Sequence, residues 1–99
     1  MNINKIVTAV VADVPEDKEA EFLDGYRALL ASEKAEGLLR SELLRRTDGG
    51  YVIQTVWRDH DALMAARKPN TPPAALALLD KVGATHFHNV FTIEAEYAR

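Results

Sequence analysis

The sequence predicts an α+β domain: one antiparallel sheet with helices on one face, in the chain order β-α-β-β-α-β. Three observations lead there. Short β-branched runs alternate with stretches of helical spacing. Asp48-Gly49-Gly50 lies between two strand-like runs and marks a hairpin. Residues that start and stop helices bracket the two intervening regions. This order is the ferredoxin-like arrangement. A chain of 99 residues is expected to make a single domain over positions 1–99.

The elements follow in order. Lys5 to Ala12, "KIVTAVVA", is short and β-branched, so it reads as the first strand. Asp13 offers a side-chain cap and Pro15 suits a first helical turn. Glu16, Asp17 and Glu19 favour the positive end of a helix dipole. Phe22, Leu23, Tyr26, Leu29 and Leu30 then recur at helical spacing, predicting a helix of about four turns that closes near Gly37. "LLRSELLRRTDGGYVIQTVW" is two strands around the Asp-Gly-Gly turn. "RDHDALMAARK" is a short helix with Asp59 or Asp61 near its start, ended by Pro69. "NTPPAALALLDKVG" is capped by Thr71, carries prolines in its first turn and closes at Gly83. "THFHNVFTIEAEY" is the last strand.

Composition removes several function classes. The chain has no cysteine, which rules out disulfides, zinc–thiolate sites, iron–sulfur clusters and a thiol nucleophile. Its formal charge of −3 argues against a nucleic-acid surface. The one basic cluster, Arg40, Arg45 and Arg46, splits across both faces of a strand and reads as a solvated strand end. An RNA-recognition sheet would need stacked aromatics where Ile53 and Thr55 stand. The opening "MNINKIVTAVVADVPED" is neither a signal peptide nor a membrane span, so no membrane association and a cytoplasmic location are expected.

The sheet faces carry a further message. A lone sheet with helices on one side should alternate apolar and polar residues strictly. Here Tyr51, Ile53, Thr55 and Trp57 share one face, while Val52, Gln54 and Val56 share the other. In the first strand Val7, Ala9 and Val11 oppose Ile6, Thr8 and Val10. Both faces are rich in aliphatic side chains and the helices can cover only one. A second copy of the same sheet is the simplest cover, predicting a homodimer.

Three stretches resemble the antibiotic biosynthesis monooxygenase family, the dimeric α+β barrels. They are the helix entry "VPEDKEAEFLDGYRALL", the glycine-led strand "EGLLRSELLRR", and "YVIQTVWRDHDALMAA", with Trp57 before an acidic helix start. The resemblance implies a cofactor-free oxygenase acting on a small aromatic or polyketide-like molecule, in a pocket between sheet and helices. Quinone-forming members place an Asn, a Trp, a Tyr and an Arg there. Trp57 matches the Trp; the Asn position falls at Ile53 and the Tyr position near Leu63, and Arg67 lies in the same region. Haem-degrading members use a His after that helix. This chain has none between Asp61 and Thr85, so haem is not implied and no cofactor is expected.

Candidate site residues follow from chemistry and face. Trp57, Tyr51 and Ile53 share the face that would line the pocket, and Tyr26 lies on the apolar side of the first helix. His86 and His88 point to one side of the last strand with Val90 and Thr92; Phe87, Asn89 and Phe91 point to the other. Two histidines without a third or fourth ligand do not make a metal site, and none is expected. Imidazole titrates near neutral pH, so His86 or His88 can serve as a base; the alternative is a strand end facing solvent or a partner. Asn89 is an amide that can orient a ligand carbonyl or phenol. Catalysis is thus expected from His86, His88 and Trp57, and ligand contact from Tyr26, Tyr51, Ile53, Leu63 and Asn89. The alternative function is a non-catalytic ligand-binding dimer.

Overall fold

A computed structural model describes residues 5–67 and 73–98. Its elements are β1 (Ile6–Asp13), a 3-10 turn (Glu16–Lys18), α1 (Glu19–Ser32), β2 (Leu38–Arg45), β3 (Tyr51–Trp57), α2 (His60–Ala66), α3 (Ala74–Lys81) and β4 (Thr85–Thr92). The four strands form one antiparallel sheet in the order β2-β3-β1-β4. This is the ferredoxin-like α+β fold, with the second helical region divided into α2 and α3.

Local chemistry explains most boundaries. The hairpin closes through Arg46 N–H to the Gly50 carbonyl at 2.9 Å and Gly49 N–H to the Arg46 carbonyl at 3.1 Å. Gly49 and Gly50 both have positive φ, as a tight turn there requires. Asp59 caps α2, its carboxylate accepting from Ala62 N–H at 2.8 Å. At the end of α3, Ala84 N–H reaches back to the Leu79 carbonyl at 2.9 Å around Gly83, at φ +76°.

Two boundaries differ from expectation. Asp13 is not a helix cap: it is the last β1 residue, paired with Thr85, and Pro15 precedes the 3-10 turn without a side-chain cap. Helix α1 stops at Ser32, not near Gly37. The Glu33 carboxylate accepts from the backbone N–H groups of Lys34 (3.0 Å) and Ala35 (2.8 Å) and turns the chain out. Gly37, at φ +83°, belongs to the turn that starts β2, where its carbonyl accepts from Arg58 N–H at 2.7 Å. Pro69, Thr71 and Pro72 lie outside the described residues; Pro73 immediately precedes α3.

The register settles which face is inward. Ile6, Thr8, Val10 and Ala12 pair with Trp57, Thr55, Ile53 and Tyr51, and all but Thr55 are buried. These residues meet the helices. Two clusters of buried side chains result. One joins Val10, Ala12, Tyr51 and Ile53 to Phe22 and Tyr26 of α1 and Leu79 of α3. The other is Ile6, Trp57, Ala62 and Leu63. Helices α1 and α3 approach closely at Gly25, where a Cβ would come within 2.8 Å of the Leu78 side chain.

The opposite face has no cover within the described residues. Its rows, read across β2-β3-β1-β4, are Leu44, Val52, Val11, Phe87; Glu42, Gln54, Ala9, Asn89; and Arg40, Val56, Val7, Phe91. Phe87 is 74% exposed and Phe91 50%.

Candidate functional site

Between the two buried clusters one level of the sheet is not apolar. Ser41 of β2 pairs with Thr55 of β3, and Thr55 with Thr8 of β1. Ile6 and Trp57 lie on one side of this row, Val10 and Ile53 on the other. The row floors an open cavity of about 680 Å³ flanked by α1, the turn after it, and α2 and α3. That volume suits a small organic ligand.

Two hydroxyls of the row, those of Ser41 and Thr55, are connected to each other and to α1. The Tyr26 hydroxyl, from α1, lies 2.9 Å from Ser41 Oγ, which lies 3.1 Å from Thr55 Oγ1. Burial pushes the Tyr26 phenol above its ordinary value; the Ser41 hydrogen bond lowers it and Glu33 raises it further. Tyr26 is therefore a protonated phenol at neutral pH. Trp57 lines the cavity, and its Nε1–H is buried without an acceptor among the described residues. Leaving such a donor unpaired costs on the order of 1–3 kcal/mol.

The β4 side of the cavity carries a histidine. His88 pairs with Val10 in the register, so it stands on the helix side of the sheet. Arg67, which follows α2, has its Nη2 3.3 Å from His88 Nε2. A guanidinium can only donate, so His88 Nε2 holds a lone pair. His88 remains exposed at the cavity rim; partial desolvation first, then Arg67 and His86, holds its imidazole below its ordinary value. Backbone bonds from Arg67 N–H to the Leu63 and Met64 carbonyls, 3.2 Å each, fix the start of this side chain.

Five of the expected site residues come together around the cavity: Trp57, Tyr26, Ile53, Leu63 and His88. Three do not. Tyr51 packs in the apolar core, where its hydroxyl donates to Glu19 at 2.8 Å and the Arg45 guanidinium sits 4.9 Å from its ring centre. His86 lies on the same face as His88 but beyond the cavity, with Nε2–H donating to Asp80 at 2.8 Å. Asn89 has the opposite strand parity, so it sits on the uncovered face, away from the cavity. The histidines therefore face the helix side rather than the uncovered face.

Sequence reasoning missed Ser41, Thr8 and the Arg67–His88 contact. The hydroxyl row has a signal: a small polar residue at an inward position of three strands, once register is known. Among the described residues no group of three or more His, Cys, Asp or Glu is placed to hold a metal ion. No described helix is long and apolar enough to cross a membrane.

Comparison with known proteins places this architecture. The model of the antibiotic biosynthesis monooxygenase family matches residues 6–71 of the 99. The chain belongs to the antibiotic biosynthesis monooxygenase family. Among solved structures, SnoaB, a cofactor-independent oxygenase from Streptomyces nogalater, shares 26% identity over 97% of this chain and 99% of its own, with a TM-score of 0.73. MhuD, a heme-degrader from Mycobacterium tuberculosis, shares 24% over 94% and 99%, at 0.68. NE2512, a protein of unknown function from Nitrosomonas europaea, shares 13% over 100% and 98%, at 0.73. The last two likenesses speak for the fold alone. A sequence comparison with curated proteins gives no match.

Proposed function

We propose that this protein is a cofactor-independent monooxygenase that oxidises a small aromatic, polyketide-like substrate in the cavity between sheet and helices, and that it works as a homodimer. The observation that carries the reading is the cavity itself. It joins apolar walls to a short set of polar groups: the hydroxyl chain from Tyr26, the unpartnered Trp57 Nε1–H and the His88 lone pair. SnoaB, which shares this fold and family, adds support.

The chemistry needs a substrate that supplies its own electrons. An electron-rich arene with an acidic ring methylene loses a proton to His88. The anion gives electrons to dioxygen, and a carbon–oxygen bond forms to give a hydroperoxide. Loss of water then leaves a carbonyl. One methylene and one dioxygen thus become one carbonyl and one water, and no outside reductant is consumed. The protein's part is to hold the anion, donate to oxygen as charge builds there, and keep water out. Trp57 Nε1–H and the Tyr26 hydroxyl are the donors. His88, kept unprotonated, is the base once the Arg67 N–H turns off its Nε2 lone pair. His86, committed to Asp80, is not.

A non-catalytic ligand-binding dimer is the second reading. Ile53 and Leu63 favour it, because they are apolar where the quinone-forming pattern has an amide and a phenol. One experiment separates the two. Oxygen uptake is followed with 1,8-dihydroxyanthrone and with a panel of phenols, with products analysed by mass. The monooxygenase reading expects uptake and exchange of two hydrogens for one oxygen atom. Quenching of the single tryptophan without uptake would leave the binding dimer.

A further inference from the structure

We infer that Ser41 is a positioning residue for the cavity: backed by Thr55, its hydroxyl donates to the Tyr26 oxygen and so turns the Tyr26 O–H onto an acceptor oxygen of the ligand. This rests on the reading of the cavity as a ligand site. It goes further by assigning a task to Ser41 and Thr55, which act on the ligand through Tyr26.

Packing alone would favour an aliphatic residue at Ser41. The inward positions of β2 are Leu38, Ser41 and Leu43, which face Trp57, Thr55 and Ile53 in the register. Leu38 packs against one buried cluster and Leu43 against the other. A large apolar side chain between them would join the two. A small hydroxyl keeps them apart and leaves that level of the floor polar.

The contacts of Ser41 govern what Tyr26 can do. The Tyr26 hydroxyl oxygen lies 2.9 Å from Ser41 Oγ, and Ser41 Oγ 3.1 Å from Thr55 Oγ1. Three hydroxyls bring three protons, and the two contacts use two of them. When the chain runs one way, the third proton is left at one end. Run from Tyr26 to Thr55, the chain leaves the phenol oxygen with lone pairs only. Run from Thr55 to Tyr26, it leaves the phenol O–H to the ligand. All three residues line the cavity. A phenol is the more acidic hydroxyl and the better donor, so an acceptor oxygen on the ligand selects the second direction. In that direction each hydroxyl polarises the next and strengthens the last donor. Burial raises the Tyr26 phenol, and the Ser41 contact lowers it, as a hydroxyl donating to the phenol oxygen does.

A second donor stands beside the first. Trp57 Nε1–H lines the cavity, buried and without an acceptor among the described residues. Trp57 is two residues past Thr55 on the same face of β3, about 7 Å along the strand. A ligand edge that carries an acceptor oxygen and no proton of its own fits this floor.

The test uses two probes of one skeleton, 1-tetralone and tetralin, which differ by a carbonyl in place of a methylene. Binding to the full chain is measured by Trp57 fluorescence and by calorimetry. Ser41→Ala should lower the affinity for tetralone about three- to tenfold and leave that for tetralin within about twofold. Tyr26→Phe should do the same. The double variant should lose no more than Tyr26→Phe alone, because Ser41 acts only through Tyr26. Ser41→Thr, which keeps the hydroxyl, should retain the wild-type ratio of the two affinities. Thr55→Val, which keeps the shape, should lower the ratio by a smaller factor. An unchanged ratio in Ser41→Ala overturns the inference, as does an unchanged ratio in Thr55→Val should Ser41→Ala fail to fold. So do losses that add in the double variant, a Ser41→Thr that behaves as the alanine variant does, or no binding of either probe by the wild type. The readout is binding, so the two readings fail separately. Oxygen uptake with an unchanged ratio removes the inference and leaves the monooxygenase; a lowered ratio without uptake does the reverse.

Discussion

A lysine placed at Val52 tests whether a second copy covers the open sheet face. Val52 lies on β3, beside Val11 of β1 and Leu44 of β2, with Phe87 one strand further on. Phe87 and Phe91 leave 74% and 50% of their surface in water. At ~200 Å² for a phenylalanine, that is about 250 Å² of aromatic surface per copy. Burying it is worth about 6 kcal/mol per copy, or about 12 kcal/mol for two, before other contacts. Association costs ~4–15 kcal/mol, so the pair is expected at micromolar concentration without a large margin. Val52→Lys puts one unpaired charge from each copy into that interface, costing several kcal/mol apiece. The dissociation constant should rise at least about a thousandfold. Light scattering should report about twice the 11.0 kDa chain mass for the wild type and the single mass for the variant. A wild type that is monomeric at micromolar concentration refutes the reasoning outright. A variant that stays dimeric with unchanged affinity shows that some other surface makes the contact.

Other expectations are local. Asp59→Ala removes the cap on Ala62 N–H and should cost about 1 kcal/mol, read as a melting temperature lower by about 4–8 °C. Gly37→Ala forces a side chain into a positive-φ turn and against the Ala62 methyl, so chemical denaturation should show a loss of about 2–4 kcal/mol. His88 is held below the ordinary imidazole value of 6.5 by partial desolvation, Arg67 and His86. Above that value both folded and unfolded chains carry it neutral and it contributes nothing; as pH falls below it, the unfolded chain binds the proton first and stability is lost until the folded value is passed. Urea midpoints taken downward from about pH 7.5 should therefore fall more steeply for the wild type than for His88→Gln, and parallel curves would contradict this.

Much of the fold was legible because its signals are short-range. Strand parity sorted Trp57, Ile53 and Thr55 from Val52 and Val56, and the Asp-Gly-Gly turn and Asp59 marked their elements. The end of α1 was not legible, since Glu33 stops the helix by folding its own carboxylate back onto the chain, without a glycine. The side taken by the histidines was not legible either. Parity fixed that His86 and His88 agree, but Phe87 and Phe91 made the opposite side of β4 look inward. In a sheet whose second face also carries apolar residues, hydrophobicity no longer tells inside from outside. Arg67 and His88 are 21 residues apart, and no local pattern joins them.

The open face and the cavity are linked through the same strands. At one level of the sheet the chain gives up apolar packing: Ser41, Thr55 and Thr8 stand where larger aliphatic groups would fuse the two buried clusters. A lining left in contact with water forgoes apolar burial, so a pocket of this size is a standing cost in a domain whose core is already small. The hydroxyl chain limits that cost by satisfying its own polar groups. The rest has to be offset elsewhere, and the largest unburied apolar side chains of the sheet are on the reverse of β4. Val11 and Val52 stand directly behind the level of the cavity's Val10 and Ile53. Covering that face would stiffen β4, an edge strand joined to the sheet only through β1, and β4 is what brings His88 to Arg67. A second copy would then be what allows so short a chain to keep a ligand cavity open.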